Sequence, residues 1–251
     1  MGLSMATAAL WVERWERQQQ RYAVDREERF TVVADVVEHV TEGRMNPLIV
    51  DLGCGPGSLA VRLARRLPHA RIVAVDMDPL LLEFGRTLGP PVVRYVEAVI
   101  GADGWTSALG LDGPLDAAVS TTALHYLSDE QLQRVYGQLA GILRPGGVLV
   151  NADHLLQEDA ADIAAHVGRR RAGRQEAFAH ENWESWWAAA QQDPELTDLF
   201  AERRRCPGLH GSSRNNGLTV NRHAQLLRQA GFCQVGCVWQ VGNSCVLVAV
   251  R

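Results

Sequence analysis

The stretch Ile49-Val50-Asp51-Leu52-Gly53-Cys54-Gly55-Pro56-Gly57 constrains this chain more than any other. It reads as a buried strand with an acidic residue at its end, a turn with three glycines at alternate positions, and the start of a helix. A second apolar strand, Arg71–Val75, runs into Asp76, 25 positions after Asp51. Glycine has no Cβ, so a main chain built this way can approach a ligand closely. A carboxylate at the end of the neighbouring strand can accept from both hydroxyls of a ribose. The two features together predict a site for a nucleoside cofactor.

The rest of the chain sets this unit in an α/β frame. Residues 5–40 carry apolar positions at helical spacing, as in Phe30, Val33, Val37 and Val40. Strand and helix signals then alternate. Strands are expected at Leu48–Leu52, Arg71–Val75, Val92–Val96, Leu115–Ser120 and Val148–Asn151, and helices at Ser58–Leu67, Pro79 to Gly89 and Ser128–Leu143. Pro145-Gly146-Gly147 reads as a turn before the fifth strand. From about residue 155 some 60 residues show no clear strand. A helix from Thr219 to Ala230 follows, then strands Phe232–Val241 and Cys245–Val250 joined by Gly242-Asn243-Ser244, which makes the last pair a hairpin. The sum is one doubly wound α/β domain over 1–251 with a mostly parallel sheet. It has an N-terminal helical segment (1–44) and a helical insert or lid (155–218) after strand five. Ligands of such sheets bind beyond the carboxyl ends of the strands, so insert and glycine turn are expected at one end.

Composition removes several classes of function. The chain has no lysine at all; its basic residues are 25 arginines. That excludes a Schiff-base lysine and a P-loop lysine. A formal net charge of −4 makes nucleic acid an unlikely partner. Five cysteines without a CxxC pair predict reduced thiols and no metal site. Cys233 and Cys237 share a strand parity and are expected in the core. No run approaches membrane-spanning length. A cytoplasmic protein, monomeric or homodimeric, is the expectation.

A nicotinamide enzyme is the main competitor for the glycine turn, but it would want its third glycine where Ser58 stands. Four segments in order, Asp51–Gly57, Val75-Asp76-Met77-Asp78, Leu115–Ser120 and Leu143–Gly147, resemble the successive motifs of class I S-adenosylmethionine-dependent methyltransferases. The resemblance covers about residues 45–152 and returns at Ala230-Gly231-Phe232 and the closing hairpin. It implies seven strands in the order 3-2-1-4-5-7-6 with strand seven antiparallel. It also implies S-adenosylmethionine as cofactor and S-adenosylhomocysteine as product. Gly53, Cys54 and Gly55 would lie against the methionine part, with Asp51 orienting the turn near the amino group. Asp76 would take the ribose and Met77 the adenine face, and Ser120 would offer backbone contacts. The family often has an Asp after strand three; here Val99 stands in its place, so Ile100 or Asp103 would serve the adenine edge. Tyr22, in the N-terminal segment that closes over the cofactor in related enzymes, is a further candidate, and Arg29 is another polar residue there.

Methyl transfer needs a base only when the nucleophile must lose a proton. His125, just past strand four in Thr121–Tyr126, is the candidate base; the competing reading is a helix-start residue that packs. His154, Tyr126, Trp183 and His210 are candidate substrate contacts. Trp183, Trp186 and Trp187 either line an apolar lid or pack the insert onto the domain. The surroundings of His125 and the insert loosely resemble trans-aconitate methyltransferase relatives. The expected reaction is methyl transfer to oxygen or nitrogen of a small molecule. The alternatives are a protein or RNA methyltransferase and a non-catalytic S-adenosylmethionine-binding regulator.

Overall fold

A computed structural model describes residues 2–206 and 215–251. Among them, one sheet of seven strands runs in the order β3-β2-β1-β4-β5-β7-β6. The strands are β1 (Leu48–Leu52), β2 (Arg71–Asp76), β3 (Val93–Glu97), β4 (Leu115–Thr121), β5 (Leu143–His154), β6 (Gln234–Val241) and β7 (Ser244–Val250). The first five pair in parallel, and β7 lies antiparallel between β5 and β6. The chain order reverses between β1 and β4, which opens a crevice at their carboxyl ends.

The helices are α1 (Met5–Gln19), α2 (Arg26–Val40), α3 (Ser58–Arg66), α4 (Pro79–Leu88), α5 (Trp105–Ala108), α6 (Asp129–Ile142), α7 (Ala161–Arg174), α8 (Trp183–Ala190), α9 (Thr197–Arg203) and α10 (Val220–Gln229). One sheet face buries Phe30, Val33 and Val37 of α2 with Leu59 and Leu63 of α3; the other buries Leu132, Val135 and Leu139 of α6 with Leu226 and Leu227 of α10. Each such side chain contributes roughly 1.5–3 kcal/mol on leaving water. Local signals agree with these ends. Ser128 and Gln131 form a reciprocal capping box on α6. Asp78 caps α4 ahead of Pro79 at the first helical position.

A third cluster ties the N-terminal helix to the segment after β5. Trp186 of α8 is fully buried against Trp11 and Trp15 of α1 and Phe84 of α4, at ring distances of 5.5, 5.2 and 6.3 Å. Arg203 of α9 reaches Asp78 at 2.6 Å and lies 3.9 Å over the Trp187 ring. Trp186 and Trp187 therefore pack α8 against the domain. Arg171, the last of three successive arginines in α7, pairs with Asp25 at 2.8 Å.

Three expectations are corrected. The helical stretch 5–40 is two helices, because Asp25 takes a left-handed φ of 52° between them and is held there by Arg171 from far along the chain. Pro145-Gly146-Gly147 is an irregularity inside β5: the register jumps from Leu115↔Leu143 to Ala117↔Val148. Cys233 and Cys237 are exposed: Cys233 precedes β6, and Cys237 lies on the edge strand of the sheet just before a register shift.

Candidate active site

The turn after β1 explains its own glycines. Gly53, Gly55 and Gly57 have φ of 68°, 55° and 88°, a region costly for other residues. A Cβ on Gly53 would stand 2.3 Å from the Cβ of Ala123, and one on Gly57 2.3 Å from the hydroxyl of Tyr95. The turn is thus pressed between the end of β4 and the β3 side chain Tyr95. Gly53 and Cys54 donate their amides to the carbonyl of Val75 at 2.8 and 3.0 Å. Gly55 donates to Asp76 Oδ2 at 2.7 Å, while Asp76 Oδ1 accepts from Asp78 N at 2.9 Å.

Two carboxylates flank this turn. Asp51 is fully buried; Oδ2 accepts from Ala60 N at 3.1 Å and Oδ1 has no partner. Burial pushes its carboxyl up to about 7, with the Asp76 charge adding to the shift. Asp76 keeps part of its surface open but sits deep in the crevice, and that desolvation raises it to about 6 against its two backbone hydrogen bonds. A buried carboxylate oxygen with no partner and a half-open carboxylate beside it fit the ammonium and ribose hydroxyls of an aminoacyl nucleoside.

The ends of β4 and β5 carry the second half of the site. Ser120 donates its hydroxyl to Leu52 O at 3.0 Å, fastening β4 to β1. Thr122 then takes a φ of 49°, strain of the kind that gathers at functional sites, and the chain turns through a short 3-10 helix, Leu124–Tyr126. His125 is 7% exposed. Its Nδ1 lies 2.6 Å from Asp153 Oδ1, and its backbone amide donates to Asp153 Oδ2 at 3.2 Å. Asp153 is fully buried; burial raises its carboxyl, but the hydrogen bond and charge of His125 outweigh this and leave it below the usual range. Among the described residues Nε2 of His125 has no hydrogen-bond partner. Tyr126 is exposed, and its ring lies 4.1 Å from that of His125.

His154 points away from this pair. Burial, followed by the charge of Arg29, lowers it to about 4, so it is neutral, and its Nε2 is buried without a partner. Tyr22 accepts from the amide of Trp183 at 2.9 Å, and Trp183 packs on Trp15 at 5.3 Å. Trp15 in turn would meet a Gly55 Cβ at 3.4 Å, so α1 and α8 roof the glycine turn. Met77 and Ile100 are half-buried and Val99 is exposed beyond β3. His210 lies outside the described residues. The geometry thus brings Asp51, Gly53, Cys54, Gly55, Asp76 and Ser120 to one crevice, with His125 on the turn that touches Gly53 through Ala123.

The sequence reading missed Asp153, Trp15 and the buried amides of Gln18 and Asn151, whose polar atoms have no partners. The signal for Asp153 was present: Asn151 and Asp153 alternate on one face of an otherwise apolar strand.

A methyltransferase-domain family model matches residues 49–147. An uncharacterized methyltransferase of Mycobacterium bovis is 39% identical over 104 residues, 40% of this chain and 47% of that protein. A trans-aconitate 2-methyltransferase of Rhodopseudomonas palustris is 32% identical over 133 residues, 53% of this chain and 47% of that protein. The matches thus span about half the length of these curated relatives. Among solved structures, human N-acetylserotonin methyltransferase in complex with SAM superposes with a TM-score of 0.54 at 19% identity, covering 97% of this chain and 58% of that one.

Proposed function

We propose that this chain, a class I S-adenosylmethionine-dependent methyltransferase by its matched segment and strand order, transfers a methyl group to an oxygen or nitrogen of a small molecule. The observation that carries the reading is the His125–Asp153 pair, 2.6 Å apart, on a turn that touches the glycine turn. When bound, S-adenosylmethionine supplies a methyl group already activated on a sulfonium and ends as S-adenosylhomocysteine.

The residues divide the remaining work. Asp76 holds the ribose, and Asp51 offers its unpartnered Oδ1 to the amino group. Gly53, Cys54 and Gly55 allow close approach, because their amides are satisfied within the protein and no side chain blocks the way. Met77, Val99 and Ile100 border the adenine, and Ser120 and Tyr22 complete the enclosure. His125 donates Nδ1–H to Asp153, which fixes the tautomer with Nε2 basic. Nε2 then takes the proton that a hydroxyl or amine acceptor must lose. Asp153 stabilises the imidazolium so formed. Tyr126 and Trp183 border the acceptor. The roof formed by α1 and α8 excludes water from the reacting groups.

The net charge of −4 supports a small metabolite over nucleic acid. Among the described residues no helix is long and apolar enough to cross a membrane, and no group of three His, Cys, Asp or Glu could hold a metal ion. A cytoplasmic enzyme acting as a monomer or homodimer accords with this reading. The test is a metabolite-library assay for release of S-adenosylhomocysteine. Turnover of one acceptor class supports the proposal. Tight cofactor binding with no acceptor turned over would favour a regulator instead.

A further inference from the structure

Arg29 occupies a place in α2 that helical spacing assigns to the core. It lies one residue before Phe30 and on the stripe that continues through Val33 and Val37. It is 1% exposed. Its Nη2 donates to the carbonyl of Ala152 and reaches Thr121 Oγ1 at 3.5 Å. Its Nε and Nη1 are buried and have no partner. Thr121 and Ala152 pair across β4 and β5, one position beyond Ser120, so this guanidinium sits at the crevice.

None of the described residues completes it. Asp153 supplies the nearest acidic charge, but its two oxygens already accept from the His125 ring and amide and from the amide of His154. The adjacent His154 is neutral and bonds the Tyr22 backbone, so it adds no charge here. Arg26, the other buried arginine of α2, is different: it pairs with Glu16 at 2.5 Å. Proteins rarely leave a buried cation with two idle donors.

We propose that Arg29, with Thr121 beside it, is a carboxylate-binding subsite of the crevice. The charge count selects a carboxylate over a phosphate. One arginine, its charge already partly offset by Asp153, tolerates the single charge of a carboxylate better than the charge of up to about two that a phosphate ester carries at neutral pH. The carboxylate has two sources, the methionine part of the cofactor or the acceptor. This choice of sources rests on the methyl-transfer reading above; the need for an anion does not.

The test measures calorimetric affinity of wild type and Arg29→Gln for S-adenosylhomocysteine and for 5′-methylthioadenosine, which lacks the carboxylate. A cofactor source predicts about a tenfold or greater loss for the first compound and less than about a twofold change for the second. An acceptor source predicts that both stay unchanged. In that case acetate, benzoate or succinate, added to the wild-type protein with S-adenosylhomocysteine bound, shifts the Arg29 Nε–H resonance, and the variant loses the response. If Arg29→Gln does not fold, the same resonance in the wild type decides, by moving with S-adenosylhomocysteine or with the carboxylates. If S-adenosylhomocysteine does not bind the wild type, the cofactor reading fails, and the three carboxylates added to the free protein still decide on Arg29. A resonance indifferent to every carboxylate, with unaltered affinities in a folded variant, would reduce Arg29 to a clip on the Ala152 carbonyl and overturn the proposal.

Discussion

Asp153 accepts from His125 twice, from ring Nδ1 at 2.6 Å and from the backbone amide at 3.2 Å. One buried carboxylate therefore fixes both the imidazole tautomer and the start of the turn that carries it. Asp153→Asn keeps the size of the side chain but favours the wrong tautomer. Turnover is expected to fall by about a hundredfold or more, with S-adenosylhomocysteine affinity within about twofold of wild type. His125→Ala is expected to act alike. Steady-state kinetics across pH, paired with calorimetry, measure both. Normal turnover in His125→Ala would leave the histidine a packing residue.

Asp76 gives a pH dependence of cofactor binding. Its carboxyl is raised to about 6 by desolvation, and only the ionised form accepts fully from hydroxyls. Affinity for S-adenosylhomocysteine should weaken as pH falls through about 6. Asp76→Ala should lose about tenfold or more in affinity, since it removes charge-assisted hydrogen bonds worth about 1.5–3 kcal/mol, and its residual binding should lack this slope. Equal slopes in both proteins would assign the titration elsewhere.

Tyr136 and His223 form a buried hydrogen bond of 2.7 Å between α6 and α10. Tyr136→Phe leaves the His223 ring nitrogen unpartnered and should cost about 1–3 kcal/mol in urea unfolding. Burial lowers His223 from 6.5 to about 4, so the unfolded chain takes up this proton first. The stabilising contribution is complete above pH 6.5 and is lost as pH falls through the interval down to about 4. The raised Asp51 and Asp76 act in the opposite sense, because their contribution is lost as pH rises toward 6 to 7. The diagnostic quantity is therefore a difference. His223→Gln should lose less stability than wild type between pH 6.5 and 4, by on the order of 3 kcal/mol.

Tyr95 is wedged against three glycines: a Cβ on Gly57, Gly85 or Gly89 would stand 2.3–2.6 Å from its ring or hydroxyl. Gly57→Ala adds a left-handed φ penalty to that clash and should destabilise by at least about 2 kcal/mol. In a Tyr95→Leu background the same change should cost less, and the double-mutant cycle in urea reads that coupling. Strict additivity would show that the ring does not restrict the turn.

The parts legible in the sequence were those set by local chemistry. The alternation of apolar strands with capped helices gave the frame, and the glycine spacing gave the turn at Gly53–Gly57. What escaped depended on distant partners. Asp25 breaks the N-terminal helical stretch although no Gly or Pro marks the place, because Arg171 holds it from 146 positions away. Cys237 alternates like a core residue, yet its strand lies at the sheet edge, which parity along one strand cannot reveal. Asp153 stood in the open beside His154, but its role required knowing that the turn after β4 folds back over β5. Arg29 had the spacing of a core residue and the chemistry of a surface one, a conflict of the kind expected at functional positions.

The indoles of Trp15 and Trp186, separated by 171 positions in the chain and 5.2 Å in space, impose a sequence of events on synthesis. A nascent polypeptide that has left the ribosome through β5 already owns its glycine turn and its His125–Asp153 pair. Trp11 and Trp15 can already lie on α4, but the side that Trp186 covers stays open until that residue emerges. Chaperone capture of stalled chains should therefore decline sharply once residue 186 clears the exit tunnel.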